Sequence, residues 1–110
     1  MEDLLKNAEE FIDSGEENLK KERYNASVSD FFKAIVIYSD YLIYNQIKVL
    51  SKNHNERFNL LNKYFPEIYL KISDLFKTYT RSYNLRLTNK DALEVKEYAY
   101  KLRSNTINKK

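Results

Sequence analysis

The stretch Arg23-Tyr-Asn-Ala-Ser-Val-Ser-Asp-Phe-Phe-Lys-Ala-Ile-Val-Ile-Tyr-Ser-Asp-Tyr-Leu42 holds more apolar side chains than one face of a helix can accommodate. Val28, Phe31, Phe32, Ile35, Leu42 and, further on, Val49 recur at multiples of a helical turn and predict a helix from Asn25 to Leu50. Ala34, Ile37, Tyr38, Tyr41 and Tyr44 widen its apolar face. A helix apolar around most of its circumference must be wrapped by others. The expected fold is therefore all-α, a single-domain bundle of four to five helices around this long central second helix. The surplus width is available to a second chain, and Tyr38, Tyr41 and Tyr44 are the residues expected at a two-fold interface.

Working outward, Leu4, Leu5, Ala8, Phe11, Ile12, Gly15 and Leu19 form one stripe and predict a first helix from Glu2 to Arg23. Gly15 within that stripe costs about 1 kcal/mol relative to Ala and points to a close approach by another helix. Asn25 is placed as the cap of the second helix. Asn53 with Glu56 resembles a capping box opening a third helix from His54 to Phe65. Pro66 suits the first position of a fourth, which carries Ile68, Ile72, Leu75, Phe76, Tyr79 and Tyr83 on its inner face. Asn84–Leu87 reads as a connection, and Thr88 with Asp91 opens a fifth helix lined by Ala92, Val95, Ala99 and Leu102. Residues 1–104 are assigned to the bundle and 105–110 to a polar basic tail that frays beyond Ser104.

Composition narrows the chemistry. A chain of 110 residues is long enough for one core without metal or disulfide staples, and one Gly and one Pro leave little turn material for a sheet. Zero cysteines exclude a disulfide framework and any thiolate nucleophile or metal ligand, and the single histidine, His54, excludes a histidine-rich metal site. The start Met1-Glu-Asp-Leu-Leu-Lys6 lacks the pattern of a secretory signal, and the apolar run Ala34–Tyr44 is broken by Ser39 and Asp40 and is too short to span a bilayer. A soluble cytoplasmic protein with no membrane partner is expected. No glycine-rich phosphate loop, Ser–His–acid series or carboxylate metal motif is present, so no cofactor is predicted.

Net charge is +3, but residues 1–22 carry eight acids against three lysines while residues 23–110 carry sixteen basic residues against eight acids. Lys101, Arg103, Lys109 and Lys110 lie toward the C-terminal end. Such asymmetry marks either a surface that meets phosphate or an acidic first helix lying beside basic neighbours.

The candidate binding residues are His54, Arg57, Arg81, Tyr83 and Arg86. His54 and Arg57 share a helical face near a positive helix end and could hold a phosphate; alternatively Arg57 pairs with Glu56 or another acid. Arg81, Tyr83 and Arg86 combine two guanidinium groups with an aromatic ring, a contact suited to phosphate and base, or else stand solvated around a core tyrosine. Asp30, Lys33 and Asp40 on so apolar a helix ask for partners; Asp30 and Lys33 are spaced as an ion pair. No residue set compels a catalytic assignment.

Over about residues 5–100 the chain resembles the HEPN family of small helical bundles. The likeness is carried by Lys21-Glu-Arg-Tyr24 at the end of the first helix, Ala26-Ser-Val-Ser-Asp-Phe-Phe-Lys-Ala34 on the second, and Asn53-His-Asn-Glu-Arg57 opening the third. The resemblance implies four or five helices, frequent dimerisation, and nucleotide binding or RNA cleavage. The family's ribonuclease motif is an arginine, four to six residues, then a histidine. From Arg81 the allowed positions hold Arg86, Leu87 and Thr88, and neither Arg23 nor Arg57 is followed by a suitably placed histidine. Arginine stays protonated near neutrality and cannot shuttle a proton as imidazole does. The expectation is a non-catalytic, self-associating bundle that binds a protein partner or a nucleotide or RNA phosphate. The alternatives are an RNase or toxin of a toxin–antitoxin pair and a scaffold with no ligand. Tyr24, Ser27, Phe31 and Ala34 also match a tetratricopeptide hairpin, but Phe58, Leu61, Phe65 and Ile68 do not repeat its small residues.

Overall fold

Val28, Phe31, Phe32, Ala34, Ile35, Tyr38, Leu42 and Ile43 are all buried, on nearly every side of one helix. Each fully buried Phe or Ile contributes about 1.5–3 kcal/mol, which makes this helix the axis of the fold. The computed structural model describes residues 2–108, and these form an all-α bundle: α1 Glu2–Lys20, α2 Tyr24–Ile47, α3 His54–Tyr64, α4 Pro66–Arg81 and α5 Asn89–Asn108. The central α2 packs against each of the other four helices. Lys109 and Lys110 of the expected tail lie outside the described residues.

The helix ends differ from expectation in instructive ways. α1 stops at Lys20 because Glu22 adopts a left-handed conformation (φ 59°), returning the N–H groups of Glu22 and Arg23 to the carbonyls of Leu19 and Asn18. Lys48 (φ 59°) closes α2 in the same manner, donating its N–H to Tyr44, so Val49 falls outside the helix and is exposed rather than part of its main face. Asn25 is not the cap of α2. It lies inside the helix, and its amide nitrogen donates to the carbonyls of Ser82 (2.9 Å) and Leu85 (2.6 Å) while its oxygen accepts from the N–H of Leu87 (2.9 Å). One side chain thereby pins the connection between α4 and α5 onto the start of α2.

The other predicted signals act as read. Asn53 accepts from the N–H of Glu56 at 2.9 Å, Pro66 opens α4, and Thr88 and Asp91 cap α5 reciprocally. Ala92, Val95, Ala99 and Leu102 are buried. The same helix continues past Ser104, because Thr106 is buried at 2% exposure and returns its hydroxyl to the Arg103 carbonyl, so the described part of the expected tail is helix.

Gly15 is a contact point. A Cβ there would stand 2.9 Å from the Phe31 ring, and the Gly15 carbonyl accepts from the Ser27 hydroxyl at 2.9 Å. α1 accounts for part of the uneven charge, since two of its acids face α5: Glu16 pairs with Lys96 and Glu9 with Arg103, each at 2.9 Å, while Glu2, Asp3, Glu10, Asp13 and Glu17 are exposed. Tyr100 donates to Glu16, and Tyr38 donates to Glu9 at 2.6 Å. Tyr38 is thus buried at 1% exposure and unavailable to the two-fold interface expected of it; Tyr41 and Tyr44 are half-buried.

Candidate functional site

Asp40 is a carboxylate on the most apolar helix of the bundle, and an unpaired charge there would be prohibitive. Arg57 answers it from α3. Its Nε donates to Asp40 Oδ1 at 2.7 Å and its Nη2 to Oδ2 at 2.9 Å, with both side chains only 11% exposed. This two-pronged pairing settles the partner of both residues; Glu56 takes no part and accepts instead from the N–H of Lys52. The third guanidinium nitrogen, Nη1, lies 2.9 Å from His54 Nδ1. A guanidinium only donates, so Nδ1 is the acceptor and the neutral ring carries its proton on Nε2. Asp40, Arg57 and His54 therefore form one chain of hydrogen bonds from the core to the surface.

His54 and Arg57 line a cleft of about 360 Å³ to which α1, α2, α3 and α4 all contribute. Phe11, Phe32, Val36, Ile37 and Tyr79 form its apolar walls, with Lys33, Asn53, His54 and Arg57 supplying the polar groups. Tyr79 stacks on Phe32 (4.7 Å between ring centres, 13° between planes), and the His54 ring lies 6.0 Å from both Phe58 and Phe76. Lys33 does not pair with Asp30 as its spacing suggested. Asp30 accepts from Ser14 (2.7 Å) and Asn18 (2.9 Å) on α1, and the Lys33 ammonium lies 5.5 Å over the Phe11 ring at the cleft.

The three remaining candidates stand outside the cleft. Arg81 and Arg86 are exposed, and Arg81 reaches only Thr78 at 3.3 Å. Tyr83 is 75% exposed rather than core. It connects to the cleft through Tyr79, whose hydroxyl it meets at 2.8 Å; that hydrogen bond, with partial burial, pushes the Tyr79 phenol up to about 12. The five candidates therefore divide into a cleft pair and an outer group, of which Tyr83 alone is joined to the cleft, through an edge-on contact with Tyr79. Sequence reasoning passed over Phe11, Asn53 and Tyr79 as ligand-facing groups, because each already had a structural role as stripe, cap or core residue. The one available signal was the excess apolar width of α2, which supplies Val36 and Ile37.

A second groove of about 420 Å³ runs between α4 and α5, edged by Glu67, Glu94 and Glu97 and by Lys71 and Lys101. It is larger, but its acids outnumber its lysines, which disfavours a phosphate, and none of the candidate residues lines it. Among the described residues no three of His, Cys, Asp and Glu gather as a metal site, and no helix is long and apolar enough to cross a membrane. No family model, curated protein or solved structure matches the chain.

Proposed function

We propose that this chain is a HEPN-like bundle that binds rather than cleaves, taking a nucleotide or an RNA phosphate into the cleft at His54 and Arg57. The observation that carries this reading is the combination in one concavity of the half-buried rings Phe11 and Tyr79, the latter backed by the buried Phe32, with the donors Lys33, Asn53 and His54. Pockets of this kind hold a flat body by its faces and orient it by a few polar groups. His54 supports binding over proton transfer: with Nδ1 occupied by Arg57, the ring faces a ligand as a hydrogen-bond donor and not as a base. Tyr83, whose ring meets that of Tyr79 edge-on, offers a continuation for a longer strand, with the exposed Arg81 and Arg86 nearby in sequence.

The test is titration of the isotope-labelled protein with nucleotides and short oligoribonucleotides, following backbone amide shifts. Saturable shifts at Lys33, His54 and Tyr79, weakening as salt rises, are expected. Flat titrations at millimolar ligand would end the reading. RNA cleavage abolished by His54→Ala would replace it with the nuclease alternative.

A further inference from the structure

The polar side of the cleft is chemically one-sided. Asn53 accepts the Glu56 N–H on one lone pair of its oxygen and keeps both amide hydrogens for a ligand. His54 has committed Nδ1 to Arg57 and retains Nε2–H. Lys33 and Arg57 can only donate. The hydroxyl of Tyr79 shares a hydrogen bond with that of Tyr83, in which either oxygen can donate. A ligand entering here meets more side-chain donors than acceptors.

The net charge behind those donors is small. Asp40 stands directly behind Arg57 and cancels it at 2.7 and 2.9 Å, leaving the Lys33 ammonium, among the described residues, as the one uncompensated cation of the lining. One singly charged oxyanion satisfies such an edge. A second charge on the ligand would lose part of its hydration beside Phe11 and Tyr79 without a cation to meet it. We propose that the cleft selects a flat apolar body carrying one singly charged oxyanion, a carboxylate or a phosphodiester, over the doubly charged phosphomonoester of the same body. This deepens the binding reading above and rests on the same cleft.

Calorimetry at pH 8, where a phosphomonoester carries close to two charges, tests it with four probes: adenosine, adenosine 3′,5′-cyclic monophosphate, adenosine 5′-monophosphate and indole-3-carboxylate. The cyclic diester is expected to bind at least about fivefold more tightly than the 5′-monophosphate. Lys33→Ala, at an exposed position, should weaken the cyclic diester about tenfold, toward the level of adenosine, as expected for one charge-assisted hydrogen bond. Asp40→Asn, with its fold checked by circular dichroism, should reverse the preference toward the doubly charged probe. Equal or tighter binding of the 5′-monophosphate by the unaltered protein overturns the charge rule and leaves nucleotide binding standing. Binding of indole-3-carboxylate alone removes the nucleotide reading and supports the charge rule. Binding of neither class removes both.

Discussion

The two sides of α2 are filled by opposite means. Toward α1 and α5 the packing is close and apolar: Gly15 lets the Phe31 ring against α1, and the charges sit at the rim as Glu9–Arg103 and Glu16–Lys96. Toward α3 and α4 a cluster of rings packs beside the buried Leu61, Ile72 and Leu75, a nearly buried ion pair bridges α2 and α3, and a cleft is left open. Interlocking shape makes the first side sensitive to volume and indifferent to rim charge. The second side tolerates empty volume and depends on its charges being paired. The cleft lined by His54 and Arg57 lies on this second side, where polar groups penetrate.

The largest effect is expected where a charge is stranded. Arg57→Ala leaves Asp40 buried without a partner and should cost about 3–5 kcal/mol by urea denaturation, a large part of the roughly 5–15 kcal/mol available to such a domain. Arg103→Ala on the other side breaks a pair that is 39% and 42% exposed and should cost about 1 kcal/mol or less. Similar losses for the two would erase the contrast. Replacing both members, Asp40→Leu with Arg57→Met, should recover most of the stability, because no charge is left buried.

Next is Asn25→Ala, which strips two carbonyls and one N–H of their partner where the two sides meet at the α4–α5 connection. A loss of about 1–3 kcal/mol is expected, with faster amide exchange at Leu87. Asn25→Asp should also be damaging, since a carboxylate cannot donate to Ser82 and Leu85. If neither variant moves the midpoint, the connection is held by other contacts.

Gly15→Ala probes the tight side directly. Helix propensity alone predicts a gain of about 1 kcal/mol, whereas pressing a methyl into the buried Phe31 ring costs about 1–3 kcal/mol. A net loss is expected in thermal melts, and Gly15→Ala combined with Phe31→Leu should relieve it. A net gain would show the α1–α2 contact to be softer than the distance implies.

The smallest effect concerns pH. Burial first, and then the Glu67 charge, pushes Tyr98 up to about 12; burial first, and then the hydrogen bond to Glu16, does the same for Tyr100. The folded state therefore favours neutral phenols. Their contribution is intact below the ordinary tyrosine value of 10 and is lost as pH rises from 10 toward 12. Glu16 responds in the other direction. Burial alone would raise it, but the Tyr100 hydroxyl and Lys96 hold it below 4.5, so its contribution declines as acid is added through that region. Tyr100→Phe should flatten the alkaline decline seen in urea midpoints between pH 9 and 11.5.

These contrasts also explain what the sequence disclosed. Periodicity and capping chemistry are local, so α2, the Asn53 start, Pro66 and the Thr88–Asp91 cap were all legible from neighbouring residues. Left-handed stops at Glu22 and Lys48 were not, because neither residue type favours that conformation. Partners distant along the chain were also hidden. Asp40 and Arg57 each announced a need for a counter-charge, but nothing local joined them across the α2–α3 connection. Asn25 had the composition of a cap and serves instead as a tie to residues near 85. The cleft was half-visible: His54 and Arg57 share a face by spacing, whereas Phe11 and Tyr79 reach it only through the packing of helices.

The corners at Glu22 and Lys48 give the bundle an engineering handle. Both residues are exposed and charged, and each holds a backbone conformation that costs an ordinary residue about 1–2 kcal/mol, while the chain's single glycine is placed elsewhere for space. Glycine at either corner relieves that cost, offset in part by the greater freedom it gives the unfolded chain. Neither corner lines the cleft or joins the core. The scaffold can therefore be hardened from its corners while the residues lining the cleft are varied independently.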